Sequence, residues 1–187
     1  MSASPGRIVV LIGIAGLGLA ACGTGYRNVR EYPVADGPCR ALAVVACEEG
    51  DVLGWVDAAE NLRLVRAETD VLAQIQSVAI APDGARAAIV SVGEGHPVVT
   101  VYRVADLVTG GGRAGERLPA EKTVDPYPLA IEDVRWIESD TIEFCSAIDF
   151  IRFDRESRRG GYDESRSEPP MRTWRWRLRD DAFTPAP

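Results

Sequence analysis

Hydrophobic and polar residues alternate along much of this chain, the period-two pattern of strands with one buried face. In RTWRWRL, near the carboxyl end, Trp174, Trp176 and Leu178 would share one face and three arginines (Arg175, Arg177, Arg179) the other. Similar stretches occur at residues 51–67, 77–92, 97–104 and 131–145, whereas only residues 68–77 could form a short helix. The pattern predicts an all-β fold of antiparallel hairpins.

Turn residues separate these stretches. Asn61 can take the left-handed conformation that a tight hairpin needs, and Pro82-Asp83-Gly84 has proline at the first central position of a type I turn. A third turn is predicted at 138–140. The loops at 91–97 and 107–129 are the expected contact surfaces, because loops on a rigid scaffold usually carry function.

The amino-terminal end has a different pattern. After Arg7, residues 8–21 form a run of 14 without a charge. A membrane-spanning helix needs about 20 apolar residues, so this length is typical of a secretory signal helix. We therefore expect a signal peptide at 1–21, a tether rich in Gly, Pro and charge at 22–38, and a β domain at 39–187.

The end of the apolar run, Leu19-Ala20-Ala21-Cys22, resembles the lipobox of bacterial lipoproteins. The resemblance implies that the Cys22 thiol receives a diacylglycerol and that cleavage occurs between Ala21 and Cys22. It implies a protein held at a membrane through lipid on Cys22. The surface would be the outer membrane in a Gram-negative host, or the outer face of the cytoplasmic membrane in a Gram-positive one.

A second resemblance concerns the β domain. Residues 78–110 resemble a blade of TolB-type and WD40-like β-propellers, in which strand, P-D-G turn, strand, loop and strand recur. Residues 131–144 resemble a next blade and 52–65 part of an earlier one, with the propeller part of LpqB-type lipoproteins as the nearest likeness. The length allows three blades and part of a fourth, fewer than most closed propellers have. The edges of such a partial or small propeller would have to be covered by a second copy of the chain, by a partner or by closure into a sandwich. The alternative to a propeller is a plain meander of hairpins.

Charge limits the partners. The chain has a formal charge of −7 and one lysine, Lys122, and loss of residues 1–21 with Arg7 makes it −8. We expect no nucleic-acid partner, because the basic patch that such a protein needs is missing. An unidentified protein of the cell envelope is the expected partner.

The remaining cysteines are Cys39, Cys47 and Cys145. The segment between Cys39 and Cys47 has no turn residue, and its ends would lie about 26 Å apart if extended or about 12 Å if helical. A disulfide needs Cα atoms within about 7 Å. If a bridge exists, we therefore expect Cys145 to pair with Cys39 or Cys47; buried free thiols are the alternative.

Catalytic motifs are missing from the sequence. His96 is the only histidine, and Gly110–Gly115 matches G-x-G-x-x-G, but Pro119 interrupts the helix that a dinucleotide site requires. We therefore expect no catalytic residue, cofactor or metal, and a non-enzymatic binding or accessory module of the envelope. The alternative is an envelope hydrolase that uses loop-end carboxylates, drawn from Asp133, Glu138, Asp140, Glu143 and Asp149.

Overall fold

A computed structural model describes residues 28–48, 50–65, 74–92, 95–110, 117–125, 131–151 and 170–187. Their longer elements are twelve strands and one six-residue helix. In chain order these are β1 (Asn28–Pro33), β2 (Ala41–Cys47), β3 (Gly50–Val56), β4 (Leu62–Leu64), β5 (Gln74–Ile80), β6 (Arg86–Val92), β7 (Pro97–Arg103), α1 (Val104–Thr109), β8 (Lys122–Val124), β9 (Ile131–Glu138), β10 (Thr141–Ser146), β11 (Arg172–Arg177) and β12 (Ala182–Pro185).

The strands form three antiparallel sheets of four strands each. Sheet I has the order β1-β2-β3-β4, sheet II β5-β6-β7-β8 and sheet III β9-β10-β11-β12. In each sheet every strand pairs with its neighbour in sequence, as in the blades of a propeller. The predicted all-β fold of antiparallel, blade-like hairpins is confirmed.

The first strands of the three sheets run in the same direction. Arg30, near the start of β1, donates from Nη1 to the carbonyl oxygen of Gln76 on β5 at 3.0 Å. Trp136, late in β9, donates from Nε1 to the carbonyl oxygen of Ala79, late in β5, at 2.8 Å. The sheets therefore share two ends. We call the end where β1, β5 and β9 begin the near end, and the opposite end the far end.

Two apolar cores lie between the sheets. The core between sheets I and II includes Leu42, Ile89 and Tyr102, all fully buried. The core between sheets II and III is dominated by sheet III aromatics, including Phe144 and Trp176. Further apolar residues are buried on the other face of sheet I: Val29, Ala41, Ala43, Val45 and Val56.

Strand β11 shows how the sequence pattern determines the packing. Trp174, Trp176 and Leu178 are buried, whereas Arg175, Arg177 and Arg179 lie on the accessible side and pair with carboxylates (Glu143, Asp180 and Asp140, respectively). Because successive side chains of a strand point to opposite faces, one register places all three apolar groups inside. The predicted two-faced strand is confirmed.

Other local predictions need correction. The predicted tether is partly folded, because Asn28–Pro33 pairs along its whole length with β2. Residues 74–77, placed in a short helix by the sequence, begin strand β5. In the β3–β4 hairpin Glu60, with φ 65°, takes the left-handed conformation that was expected of Asn61.

Candidate functional site

An open pocket of about 400 Å³ lies at the far end, between sheets I and II. One side is the turn between β1 and β2, and the other side combines the turn between β5 and β6 with the end of β7 and the start of α1. Its lining residues are Asp36, Gly37, Pro38, Asp83, Gly84, Ala85, Arg86, Arg103 and Ala105. A pocket of this size can hold a small polar ligand.

The predicted Pro82-Asp83-Gly84 turn builds one wall of this pocket. The Gly84 N–H donates to the carbonyl oxygen of Ala81 at 2.9 Å, which leaves Pro82 at the first central position as predicted. The Asp83 carboxylate accepts the Ala85 N–H at 3.0 Å. This side-chain bond is the Asx-turn contact that favours aspartate in turns.

Two arginines give the pocket its positive groups. Arg86 donates from Nε and Nη2 to the Glu121 carboxylate at 2.9–3.1 Å and is thereby held in one orientation. Hydrogen bonding to Glu121 also raises the pKa of the Arg86 guanidinium. Arg103, with its side chain 64% exposed, lies 3.8 Å from the same carboxylate. The pocket therefore combines one fixed and one exposed guanidinium with the carboxylates of Asp36 and Asp83.

Residues from the two predicted contact loops meet at the near end. His96 Nε2 lies 2.7 Å from Asp125 Oδ1, although 29 positions separate them in sequence. The strands explain the contact, because His96 directly precedes β7 and Asp125 directly follows β8, which pairs with β7. The His96 side chain is 12% exposed and that of Asp125 54%. This pair was not predicted.

Two of the carboxylates considered for hydrolysis, Asp133 and Asp140, lie at different positions along sheet III. Asp133 is the third residue of β9, whereas Asp140 follows that strand in the turn to β10. The five strand steps from Asp133 to Glu138 alone cover about 16 Å. Glycosidase carboxylates lie within about 10 Å of each other. The pairing of Asp133 with Asp140 therefore lacks the required geometry.

Glu143 is a buried carboxylate on the accessible face of sheet III. It accepts hydrogen bonds from Arg135 Nε at 3.1 Å and from Arg175 Nε at 3.1 Å. Hydrogen bonding to Arg135, with a further bond to Arg175, lowers the pKa of the Glu143 carboxyl. This effect outweighs burial, which alone would raise the pKa. A carboxyl that keeps its charge in this way is a poor general acid.

The lowered pKa of Glu143 predicts a loss of stability in acid. Because the pKa is lower in the folded than in the unfolded chain, the stabilisation is complete above the unfolded value, about 4.3. The stabilisation disappears as the pH falls through the pKa that Glu143 has in the folded chain. We expect the stability difference between wild type and Glu143→Gln to shrink below about pH 4 in urea unfolding curves. Glu138→Gln, on the exposed end of β9, is the control; an unchanged difference down to pH 2 would contradict the prediction.

The cysteine prediction is wrong. Cys39 and Cys145 are free thiols, and Cys47 is disulfide-bonded, so Cys145 pairs with neither. Cys39 is buried in the core between sheets I and II, whereas Cys145 lies on β10, its Sγ 3.6 Å from Thr173 Oγ1. Sheet II lies between these two positions. Burial raises the pKa of the Cys39 thiol, which keeps it protonated and unreactive.

Several predicted features lie outside the described residues. These are the signal peptide, the cleavage site at Ala21 and Cys22, and most of the Gly110–Gly115 motif. Gly110 itself directly follows α1, with φ 74°. The part of the chain that is described contains no helix long and apolar enough to cross a bilayer.

Comparisons with known proteins concern the fold. No protein-family model and no curated protein matches the chain. Among solved structures, it is similar to the uncharacterized protein lmo1340 from Listeria monocytogenes EGD-e, with 10% identity, a TM-score of 0.46, and coverage of 82% of this chain and 38% of that one.

The chain is also similar to the isopeptidase AtxE2 without ligand, with 18% identity, a TM-score of 0.45, and coverage of 85% of this chain and 27% of that one. A ligand-bound AtxE2 variant has 18% identity, a TM-score of 0.42, and coverage of 86% and 27%. The chain thus spans between about a quarter and two fifths of the length of these proteins.

The AtxE2 matches contradict the prediction that this chain is not an enzyme, because an enzyme is among the proteins that its fold resembles. That prediction depended on missing motifs and is not retained. At 18% identity the likeness concerns the fold and assigns no reaction to this chain.

Proposed function

We propose that this chain is an exported, lipid-anchored protein of the bacterial cell envelope whose β domain binds a partner at the membrane surface. The observation that carries the proposal is Leu19-Ala20-Ala21-Cys22 at the end of an uncharged run of 14 residues. The cysteine supplies the thiol that a diacylglycerol thioether requires. Several acyl chains give stable attachment, whereas one chain alone would be marginal.

The fold supports a tethering role. Strand β1 begins at Asn28, so only five residues separate Cys22 from the first strand. A folded domain on so short a link stays at the membrane, where its effective concentration for partners on the same surface is high. The mechanism is thus the restriction of a binding surface to one place, where it meets an envelope protein partner.

The far-end pocket is the proposed binding site. It brings together turns from two sheets and presents the exposed Arg103 beside Asp36 and Asp83. Such a mixed lining recognises a ligand with both acidic and hydrogen-bonding groups, for instance an exposed segment of a partner protein. The rigid sheets hold the two sides of the pocket in a fixed relation.

Substitution of Cys22 tests the anchor. We expect Cys22→Ser to reduce incorporation of a labelled fatty acid to background, because a serine hydroxyl forms no thioether. The measurement is fatty-acid labelling of the full chain in a bacterial host, followed by the intact mass of the purified protein.

Cys47→Ser is the matched control, since it removes a disulfide-bonded cysteine and leaves the lipobox thiol in place. It should keep the label and the mass of the lipid. Fatty-acid label retained by Cys22→Ser would sink the proposal.

A further inference from the structure

We propose that the far-end pocket binds a short zwitterionic peptide, with the free carboxylate of the peptide on Arg103 and its free ammonium group on Asp36. The inference rests on the proposed binding role of this pocket and adds the chemical class of its ligand.

Two of the four charged side chains that line the pocket are already engaged within the protein. Arg86 directs three hydrogen bonds of 2.9–3.1 Å at the Glu121 carboxylate. The Asp83 carboxylate accepts the Ala85 N–H at 3.0 Å. Because these contacts hold both side chains in place, Arg86 and Asp83 shape the pocket more than they attract a ligand.

The other two charged side chains, Arg103 and Asp36, keep their hydrogen-bonding groups for a ligand. Arg103 is 64% exposed, and its contact with Glu121 at 3.8 Å is too long for a hydrogen bond. Within the described ranges the Asp36 carboxylate takes part in no hydrogen bond or ion pair. One positive and one negative group are thus available in the same pocket.

The positions of these two groups select a ligand with both charges. Asp36 lies in the turn between β1 and β2 of sheet I, whereas Arg103 ends β7 of sheet II. An anion would be attracted by Arg103 and repelled by Asp36, and a cation would meet the reverse. A ligand with a carboxylate at one end and an ammonium group at the other pairs favourably with both side chains.

The two sides of the pocket are held together by the backbone. A Cβ built on Gly84 would lie 2.0 Å from the carbonyl oxygen of Ala35, so the turn that carries Asp36 lies directly against the turn of sheet II. Such a fixed arrangement lowers the cost of ordering the site when a ligand binds. The volume of about 400 Å³ is near the small end of ligand sites and suits a dipeptide better than a long segment.

Four forms of one dipeptide test the proposal. Dialanine carries both charges, N-acetyl-dialanine only the carboxylate, dialanine amide only the ammonium group, and N-acetyl-dialanine amide neither. Each form is titrated into the purified full-length chain from the bacterial host, and its affinity is measured by calorimetry. The intact mass of the same preparation shows whether the lipid is present.

We expect dialanine to bind at least about tenfold more tightly than either singly charged form, because each blocked end loses a hydrogen bond between charged groups. With Arg103→Gln, dialanine should bind no better than dialanine amide. With Asp36→Asn, it should bind no better than N-acetyl-dialanine. Arg179→Gln is the matched control and should bind as wild type, since Arg179 is 68% exposed and 3.8 Å from Asp140 but lies outside the pocket.

The outcomes separate this inference from the proposed function. Equal affinity for all four forms would overturn the zwitterionic ligand and leave the pocket as a site for an internal segment of a partner protein. Affinity for N-acetyl-dialanine as high as for dialanine would show an anion site and would also overturn it. Protein that carries the lipid mass but binds none of the four forms would overturn both assignments of the pocket and leave the anchor intact.

Discussion

Replacing Trp176 with alanine should lower the free energy of unfolding by about 3–5 kcal/mol, the usual cost of removing a buried indole. Trp176 is fully buried in the core between sheets II and III. Its ring is stacked on Phe183, with centroids 5.7 Å apart and an angle of 5° between planes. Its Nε1 also donates to Asp181 Oδ1 at 2.8 Å, so the substitution leaves a cavity and removes one of the two partners of a carboxylate that also pairs with Lys122.

Two further variants separate these effects in urea unfolding. Trp176→Phe keeps an aromatic ring against Phe183 and removes the Nε1 donor, so its loss of stability should lie between wild type and Trp176→Ala. Arg177→Ala, next in the strand and on the accessible face, should lose much less, because a surface ion pair such as that with Asp180 contributes little. Equal losses for Trp176→Ala and Arg177→Ala would show that sheet III is not built around this indole.

Features set by neighbours in sequence could be predicted. The alternation in β11 identified its buried tryptophans, because the two faces of a strand follow from its period of two. The Pro82-Gly84 turn followed from the fixed φ of proline and the permissive backbone of glycine. The strand pairing could then be predicted with little further information, since each strand pairs with the next along the chain within its sheet.

The pocket could not be predicted, because its parts are distant in sequence. Arg86 and Glu121 are 35 positions apart, and no local signal links them. The contact between the turn at Ala35 and Gly84 joins residues of different sheets. Likewise, the strand at Asn28–Pro33 was assigned to a tether because its composition is polar. It folds because β2 beside it supplies backbone partners along its whole length.

Replacing Gly84 with alanine should lower the free energy of unfolding by about 3–5 kcal/mol, from the strain of a left-handed residue together with steric overlap. Gly84 has φ 67°. A Cβ built on it would lie 2.0 Å from the carbonyl oxygen of Ala35, a backbone atom that cannot move without displacing the whole turn. Because that turn continues into Asp36 and Gly37, the variant should also widen the far-end pocket.

Gly95→Ala is a matched control, because Gly95 also has a positive φ, 98°, but a Cβ there would meet no atom within 4 Å. It should lower the free energy of unfolding only through the strain of the left-handed backbone, by about 1 kcal/mol. The difference between the two variants in urea unfolding then measures the steric contact between the turns of sheets I and II. If both variants lose the same stability, the two turns are not in contact in solution, and the two sides of the far-end pocket do not lie as close together as in this structure.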